Sequence, residues 1–214
     1  MLGATSDPVT VLLVDDHAVV REGYRRLLER HGDIVVIGEA ADAAEAYTMF
    51  CRLAPQIVVM DITLPGLSGI EAMRRMLDQE PDTRVLIFSM HEEAIFAKRA
   101  LQAGAFGYVT KASAPGVLVE AVHTIADGRK YLSAAVAQAL ALRADALDAA
   151  GSNGLSAREF EVLRQLVQGR SINDIARSMG INPKTVSNHQ SVIRQKLGAD
   201  SAVQLLSIAR KLGL

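Results

Sequence analysis

Apolar residues in the first 130 positions follow two alternating rhythms. Short, nearly unbroken apolar runs occur at Val9–Val14, Ile34–Ile37, Ile57–Met60, Val85–Phe88 and Gly107–Thr110. Between them, apolar residues recur every three or four positions over Ala18–Arg30, Asp42–Leu53, Gly69–Gln79, Glu92–Ala103 and Pro115–Asp127. The first rhythm belongs to strands and the second to amphipathic helices. Runs that are apolar throughout, as in the first, third and fourth, describe strands covered on both faces, the usual state of a parallel sheet. Five strand–helix units with short Gly-, Pro- and Asp-containing connections thus predict an α/β domain, its parallel five-stranded sheet flanked by helices on both faces.

Beyond Arg129-Lys130-Tyr131-Leu132 the alternation stops. An Ala/Leu-rich stretch, Ser133–Ala150, predicts a helical arm with Ser133 as N-cap, or else an extra helix packed flat on the first domain, and Gly151-Ser152-Asn153-Gly154 breaks it into a hinge. From Leu155 the pattern is helical only. Ser156-Ala157-Arg158-Glu159 has capping-box spacing for a helix reaching about Gln168, where Gly169 stops it. A short helix follows over Ser171–Met179. Asn182-Pro183 supplies an N-cap and a first-position proline for a helix ending near Leu197, before Gly198. A last helix covers Ser201–Lys211. The chain divides on this reading into residues 1–131, a linker of 132–153, and an all-α four-helix domain of 154–214.

Charge sharpens the division. The 214 residues carry 23 Lys/Arg and 24 Asp/Glu, yet residues 151–214 hold nine basic and four acidic residues, a net of +5. The remainder then has 23 − 9 = 14 basic and 24 − 4 = 20 acidic residues, a net of −6. An acidic front and a basic tail suit a metal-binding or signalling domain joined to a polyanion-binding one. No apolar run is long enough to cross a membrane and no signal peptide begins the chain, so a cytoplasmic protein is expected. The single cysteine, Cys51, has no internal disulfide partner, which fits a reducing compartment.

Carboxylates follow two of the strand runs. Asp15 and Asp16 end the first, and Asp61 ends the third, ahead of Ile62-Thr63-Leu64-Pro65-Gly66. Carboxyl ends of parallel strands open into one crevice, where open α/β sheets bind ligands. Acids gathered there repel one another unless a hard divalent cation neutralises them, and Mg²⁺ is the usual choice. Ser89 closes the fourth strand and Lys111 the fifth. An acceptor oxygen on Asp61, a cation held by Asp16 with Asp15 largely through water, a lysine for phosphoryl oxygens and a hydroxyl donor are what phosphoryl transfer needs. Each residue alone has a bland role: a cap, a loop acid, a surface lysine. Together they point to Asp61 as phosphoryl acceptor.

At these residues, over about 8–130, the chain resembles the receiver domains of two-component response regulators, which have a flavodoxin-like (βα)5 fold. The resemblance implies that a partner sensor histidine kinase phosphorylates Asp61. It further implies that Asp16, Asp61 and the Thr63 carbonyl ligate Mg²⁺, and that Ser89 and Tyr108 form a switch pair. Receivers commonly carry proline after the lysine; here the residue is Ala112. Thr63 and His91 occupy positions that vary among receivers and tune phosphate lifetime.

The tail fits a helix–turn–helix: two short helices, a small turn residue (Gly180) and a polar second helix. Ile175, Ala176, Met179, Ile181, Val186 and Ile193 supply packing. Lys184, Thr185, Ser187, Asn188, His189, Ser191, Arg194 and Lys196 form the outward set that can meet phosphates, with Asn188 suited to adenine. The strings Thr185-Val186-Ser187-Asn188-His189 and Lys196-Leu197-Gly198, with Leu155-Ser156-x-Arg158-Glu159 upstream, resemble the LuxR-type domain of NarL/FixJ regulators over about 154–212. Order and spacing are similar to the branch that includes the GacA and UvrY regulators. That resemblance implies a non-enzymatic transcriptional regulator working as a homodimer on double-stranded promoter DNA, with RNA polymerase a further partner. It places the dimer contact on Val203, Leu206 and Ala209, and has phosphorylation alter interdomain contacts, the receiver covering the recognition helix or the dimer face. Three other readings remain at this point: a regulator independent of phosphorylation, a protein-interaction adaptor, and a Mg²⁺-dependent aspartyl phosphohydrolase. Haloacid dehalogenase-like enzymes place an acid where Thr63 stands, which counts against the last.

Overall fold

The computed structural model describes residues 7–30, 32–142, 155–199, 201–211 and 214. Six parallel strands form one sheet: β1 (Val9–Val14), β2 (Ile34–Ala40), β3 (Ile57–Met60), β4 (Arg84–Ser89), β5 (Gly107–Thr110) and β6 (Tyr131–Leu132). Their order is β2-β1-β3-β4-β5-β6. The core strands are buried almost throughout, β3 and β5 at every residue, as their unbroken apolar runs require. The sequence pattern anticipates five strands. The sixth, two residues long, is too short to show a period, and it pairs with β5 while the Ser133 N–H donates to the Tyr108 carbonyl. Strand β2 also runs on to Ala40, because its continuation through Gly38 and Glu39 pairs with the end of β1.

Helices α1 (Ala18–Glu29) and α5 (Pro115–Ala126) cover one face around Leu13, Val59, Phe88 and Val122. On the other face lie α2 (Ala43–Leu53), α3 (Gly69–Gln79) and α4 (Ala94–Gln102), around Leu12, Met60, Met73 and Phe96. Asp42 and Ser68 cap α2 and α3 with side-chain oxygens on backbone N–H groups, Ser68 in a full capping box with Glu71. The arm helix is α6 (Ala134–Leu142), packed against α4. Its expected cap does not form: the Ser133 hydroxyl is buried without a hydrogen-bond partner. The rest of the expected arm and the glycine hinge lie outside the described residues.

Four helices make up the second unit: α7 (Ala157–Val167), α8 (Ile172–Ser178), α9 (Pro183–Leu197) and α10 (Ala202–Lys211). Ser156 and Glu159 form the anticipated capping box on α7, Ser171 caps α8 and Asn182 caps α9 ahead of Pro183. Gly180 in the turn has φ +60°, a conformation that favours glycine. Phe160, Leu163, Ile175, Val186, Ile193 and Leu205 fill the centre. This centre is continuous with the core on the α4 side of the sheet, so the two units are docked.

Candidate functional site

Strand ends deliver the acidic crevice as the pattern predicts. Asp61 follows β3 and is 4% exposed; Asp15 follows β1 and is 2% exposed. The Lys111 ammonium, arriving at the end of β5, donates to Asp61 Oδ2 at 2.5 Å and also bonds the Asp15 carboxylate. Burial raises the Asp61 carboxyl above its ordinary value, outweighing the pull of Lys111 in the other direction. Lys111 loses proton affinity through burial but regains more from the two carboxylates, so its net shift is upward. The pair is a buried ion pair in which each partner needs the other. Ala112 follows Lys111 through a trans peptide bond; among the described residues none is cis.

The carboxylates expected to hold a cation are unequally placed. Asp15 turns toward Lys111, whereas Asp16 is exposed and lies 2.7 Å from His17 Nδ1. Asp15, Asp16 and His17 bring one ligand atom each within 4.8 Å of one another. With Asp61 across the crevice, this crowded oxygen set suits a hard divalent ion that keeps several waters. Thr63 bends back over the site, its N–H donating to Asp61 Oδ1 at 3.2 Å.

Ser89 and Tyr108 are fully buried. The Tyr108 hydroxyl donates to the His91 carbonyl at 2.8 Å, and the Ser89 hydroxyl accepts the His91 N–H at 3.3 Å. Burial pushes the Tyr108 phenol far upward, so it stays a donor. Both members of the expected switch pair thus hold the backbone of one residue, His91. The His91 ring stacks on Phe96 at 4.1 Å between centroids, and its Nε2 lies 3.2 Å from Thr63 Oγ1 and 3.5 Å from Glu161 of α7. Burial lowers its proton affinity against the attraction of Glu161.

Several residues here escape sequence reasoning. An added Cβ at Gly69 would meet the Asp61 carbonyl oxygen at 1.8 Å, so the glycine lets α3 begin directly against the Asp61 backbone. Arg158, 6% exposed, donates to the Leu64 carbonyl in the loop after β3 and to the Met179 carbonyl at the end of α8, pinning the two units together. Phe160 meets Phe96 edge-on at 5.2 Å beneath the Arg99 guanidinium, which burial brings down to a pKa of about 10. A glycine and a helix-borne arginine carry no distinguishing signal until both surfaces are in place.

On α9, Lys184, Asn188 and Ser191 are exposed, while Thr185, Ser187, His189 and Arg194 are partly covered by neighbours. Lys196 also points outward, yet its ammonium bonds both Glu159 oxygens at 2.8 and 2.9 Å. With the units docked, Lys184, Asn188, Ser191 and Lys196 thus remain open to solvent. What the receiver-like unit covers is the start of α7 and the turn at Gly180, where an added Cβ would stand 3.6 Å from the Pro65 side chain. The expected α10 face also splits: Val203 and Leu206 are exposed at 76% and 42%, but Ala209 is fully buried in the small unit's core.

Comparison with known proteins agrees with both halves. Residues 11–123 match the response regulator receiver domain, and residues 153–209 match the luxR family of bacterial regulatory proteins. The response regulator UvrY of Escherichia coli K12 is 34% identical over 209 residues, covering 96% of this chain and 95% of UvrY. GacA of Pseudomonas syringae is 35% identical over 208 residues, covering 96% and 97%. A crystal structure of a LuxR-family two-component response regulator from Aurantimonas is 49% identical with a TM-score of 0.63, covering 64% of this chain and 99% of that one. The chain belongs to the NarL/FixJ family of response regulators, a receiver domain followed by a LuxR-type DNA-binding domain.

Proposed function

We propose that Asp61 is the phosphoryl acceptor of a two-component transcriptional regulator and that α9 reads promoter DNA. The observation that carries the first part is the buried Asp61 carboxylate held on Lys111 at the carboxyl end of the central strand, with Asp15 on the same ammonium. An Asp61 oxygen attacks phosphorus, the P–N bond of a partner kinase's phosphohistidine breaks, and histidine leaves. Lys111 stabilises the phosphoryl oxygens and the Ser89 hydroxyl donates to one of them. Asp16 and Asp61 would hold Mg²⁺, aided by Asp15 through water and by the Thr63 carbonyl; when bound it supplies charge neutralisation for the incoming phosphoryl group. Ser89 then releases the His91 N–H, and Tyr108 follows.

On this reading residues 1–131 receive the signal, 132–153 connect, and 154–214 bind DNA, in a cytoplasmic protein with no catalytic turnover of its own beyond phosphoryl chemistry. Among the described residues no helix is long and apolar enough to cross a membrane. Lys184, Thr185, Ser187, Asn188, His189, Ser191, Arg194 and Lys196 form the nucleic-acid face, and Val203 and Leu206 the contact of a DNA-bound homodimer. RNA polymerase is a further partner. The test is mass spectrometry after incubation with acetyl phosphate and Mg²⁺: wild type gains one phosphoryl group, Asp61→Asn gains none, and Asp16→Ala or EDTA abolishes labelling. Stable phosphate on Asp61→Asn would overturn the assignment.

A second reading, DNA binding independent of phosphorylation, has one observation in its favour. Lys184, Asn188 and Ser191 are exposed with the domains docked. Equal operator affinity for wild type treated with acetyl phosphate and for Asp61→Asn would put this reading first.

A further inference from the structure

The phosphoacceptor crevice is roofed by the DNA-binding domain. A cavity of about 420 Å³ is lined on one side by Asp61, Thr63, His91 and Lys111, and on the other by Glu161 and Arg164 of α7. Two contacts link the receiver side, Thr63 N–H to Asp61 Oδ1 at 3.2 Å and Thr63 Oγ1 to His91 Nε2 at 3.2 Å, and one reaches the other side, His91 Nε2 to Glu161 Oε2 at 3.5 Å. Glu161 is 6% exposed and fixed from behind, by Arg164 at 3.0 and 3.1 Å and by the Gln165 amide at 2.7 Å. Arg164 does not offset the local charge fully, because it also lies 3.6 Å from Glu93 on the receiver. Two carboxylates thus share one guanidinium that lines the same cavity as Asp61, and Glu161, the buried one, sits where water screens it little.

We propose that Glu161, although part of the DNA-binding domain, belongs to the phosphorylation machinery: its carboxylate closes the phosphoacceptor crevice against His91, so that docking disfavours the phosphorylated state and phosphorylation disfavours docking. The inference rests on Asp61 being the acceptor. A phosphoryl group on Asp61 brings further negative charge into the cavity that Glu161 lines. Its pull on Ser89 at the same time loosens the His91 backbone, the platform against which Glu161 is set. Linkage makes the effect reciprocal: whatever factor docking takes from phosphoryl affinity, phosphorylation takes from docking.

Beryllofluoride with Mg²⁺, a phosphoryl mimic that binds without turnover, tests this on the full chain. Its affinity is read by calorimetry and the domain arrangement by the radius of gyration from small-angle scattering. Glu161→Gln keeps the shape and the bonds to Arg164 but loses the charge. It should bind beryllofluoride about five-fold more tightly or better, and should stay compact when saturated, whereas saturated wild type expands. Arg164→Gln leaves Glu161 less neutralised and should bind more weakly while its unliganded form remains as compact as wild type. The proposal is overturned if Glu161→Gln matches wild type in both readouts. It is equally overturned if saturated wild type stays compact and Arg164→Gln alone expands, since Arg164 would then be holding the anion. Should wild type bind no beryllofluoride while thermal melting shows it folded, the reading of Asp61 as acceptor fails instead.

Discussion

Asp61, Ser89 and Lys111 are legible in sequence for a geometric reason. Each ends an apolar run, and a parallel sheet brings the ends of its strands to one crevice whatever the details of packing. Their energetics are less legible. Lys111 is not an idle ligand waiting for phosphate; it already neutralises two buried carboxylates, Asp15 and Asp61. Removing it by Lys111→Met leaves those acids unpaired, at a cost of about 3 to 5 kcal/mol. The same substitution removes the competitor for a divalent cation. Thermal melting should therefore show a large loss of stability in EDTA and a larger recovery on adding Mg²⁺ than wild type shows. If Mg²⁺ stabilises both proteins equally, Lys111 and the cation do not share these oxygens. His91 and Glu161 show the opposite case. Each can be singled out within its own domain, but they meet only because two domains dock, so nothing in the sequence marks the contact between them.

At the scale of elements, caps and breakers set most boundaries: Asp42, Ser68, Ser156, Ser171 and Asn182 all accept backbone N–H groups where their helices begin. Where the local signal is weak, sequence and structure part. Ser133 has the right residue type but its hydroxyl is buried and unpartnered, and Tyr131–Leu132 is too short for any periodicity. Gly69 gives a sharp test of how α3 supports the acceptor. Gly69→Ala must push the Asp61 carbonyl aside, and overpacking of this kind costs roughly 1 to 3 kcal/mol. Labelling by acetyl phosphate should fall more than for Gly66→Ala: Gly66, though at φ +74°, has no atom within 4 Å of an added Cβ. Equal labelling in both variants would show that the start of α3 does not hold the acceptor in place.

Helix α7 is tied to α9 in a way that gives a pH signature. Burial works to raise the Glu159 carboxyl, but the Lys196 ammonium and the Ser156 groups outweigh it and hold the carboxyl below its ordinary 4.5. A carboxyl depressed in the folded state adds stability that is complete above its unfolded value and disappears as pH falls through the folded one. The contribution is therefore present at neutral pH and lost only below about pH 4.5. Lys196→Met should shift acid unfolding, followed by circular dichroism, to higher pH than in wild type. The same variant should weaken DNA binding for all sequences alike, whereas Asn188→Ala should relax sequence preference. An unchanged acid midpoint would mean that the Lys196–Glu159 pair does not stabilise the domain.

At the scale of the whole molecule, the docked arrangement changes what regulation has to accomplish. The two-domain organisation is readable from the change of period near position 130 and from the basic tail. The docking mode is not, because it depends on two surfaces whose residues, Phe96, Arg99, Phe160 and Arg158, each look like ordinary helix positions. With Lys184, Asn188, Ser191 and Lys196 of α9 exposed, a single docked chain is expected to reach DNA phosphates through them. It lacks a partner set at the spacing of one helical turn that two-fold half-sites demand. On the proposed function, control would then act on pairing and geometry rather than on access to the helix. The salt dependence of DNA binding distinguishes these. If a paired, phosphorylated form contacts about four to six phosphates, log K falls with log salt at a slope of roughly −4 to −5. One unphosphorylated chain, making about half the contacts, should give a slope of about −2 to −3 and little preference among sequences. Filter-binding or anisotropy titrations at several salt concentrations, with and without beryllofluoride, measure both slopes. Substituting the exposed apolar pair on α10, Val203 and Leu206, by serine should hold the slope at the single-chain value even with beryllofluoride, while leaving the melting of the domain nearly unchanged. A steep slope in that variant would mean that pairing on DNA does not use α10. A flat response in the unphosphorylated wild type would mean instead that α9 is occluded in solution.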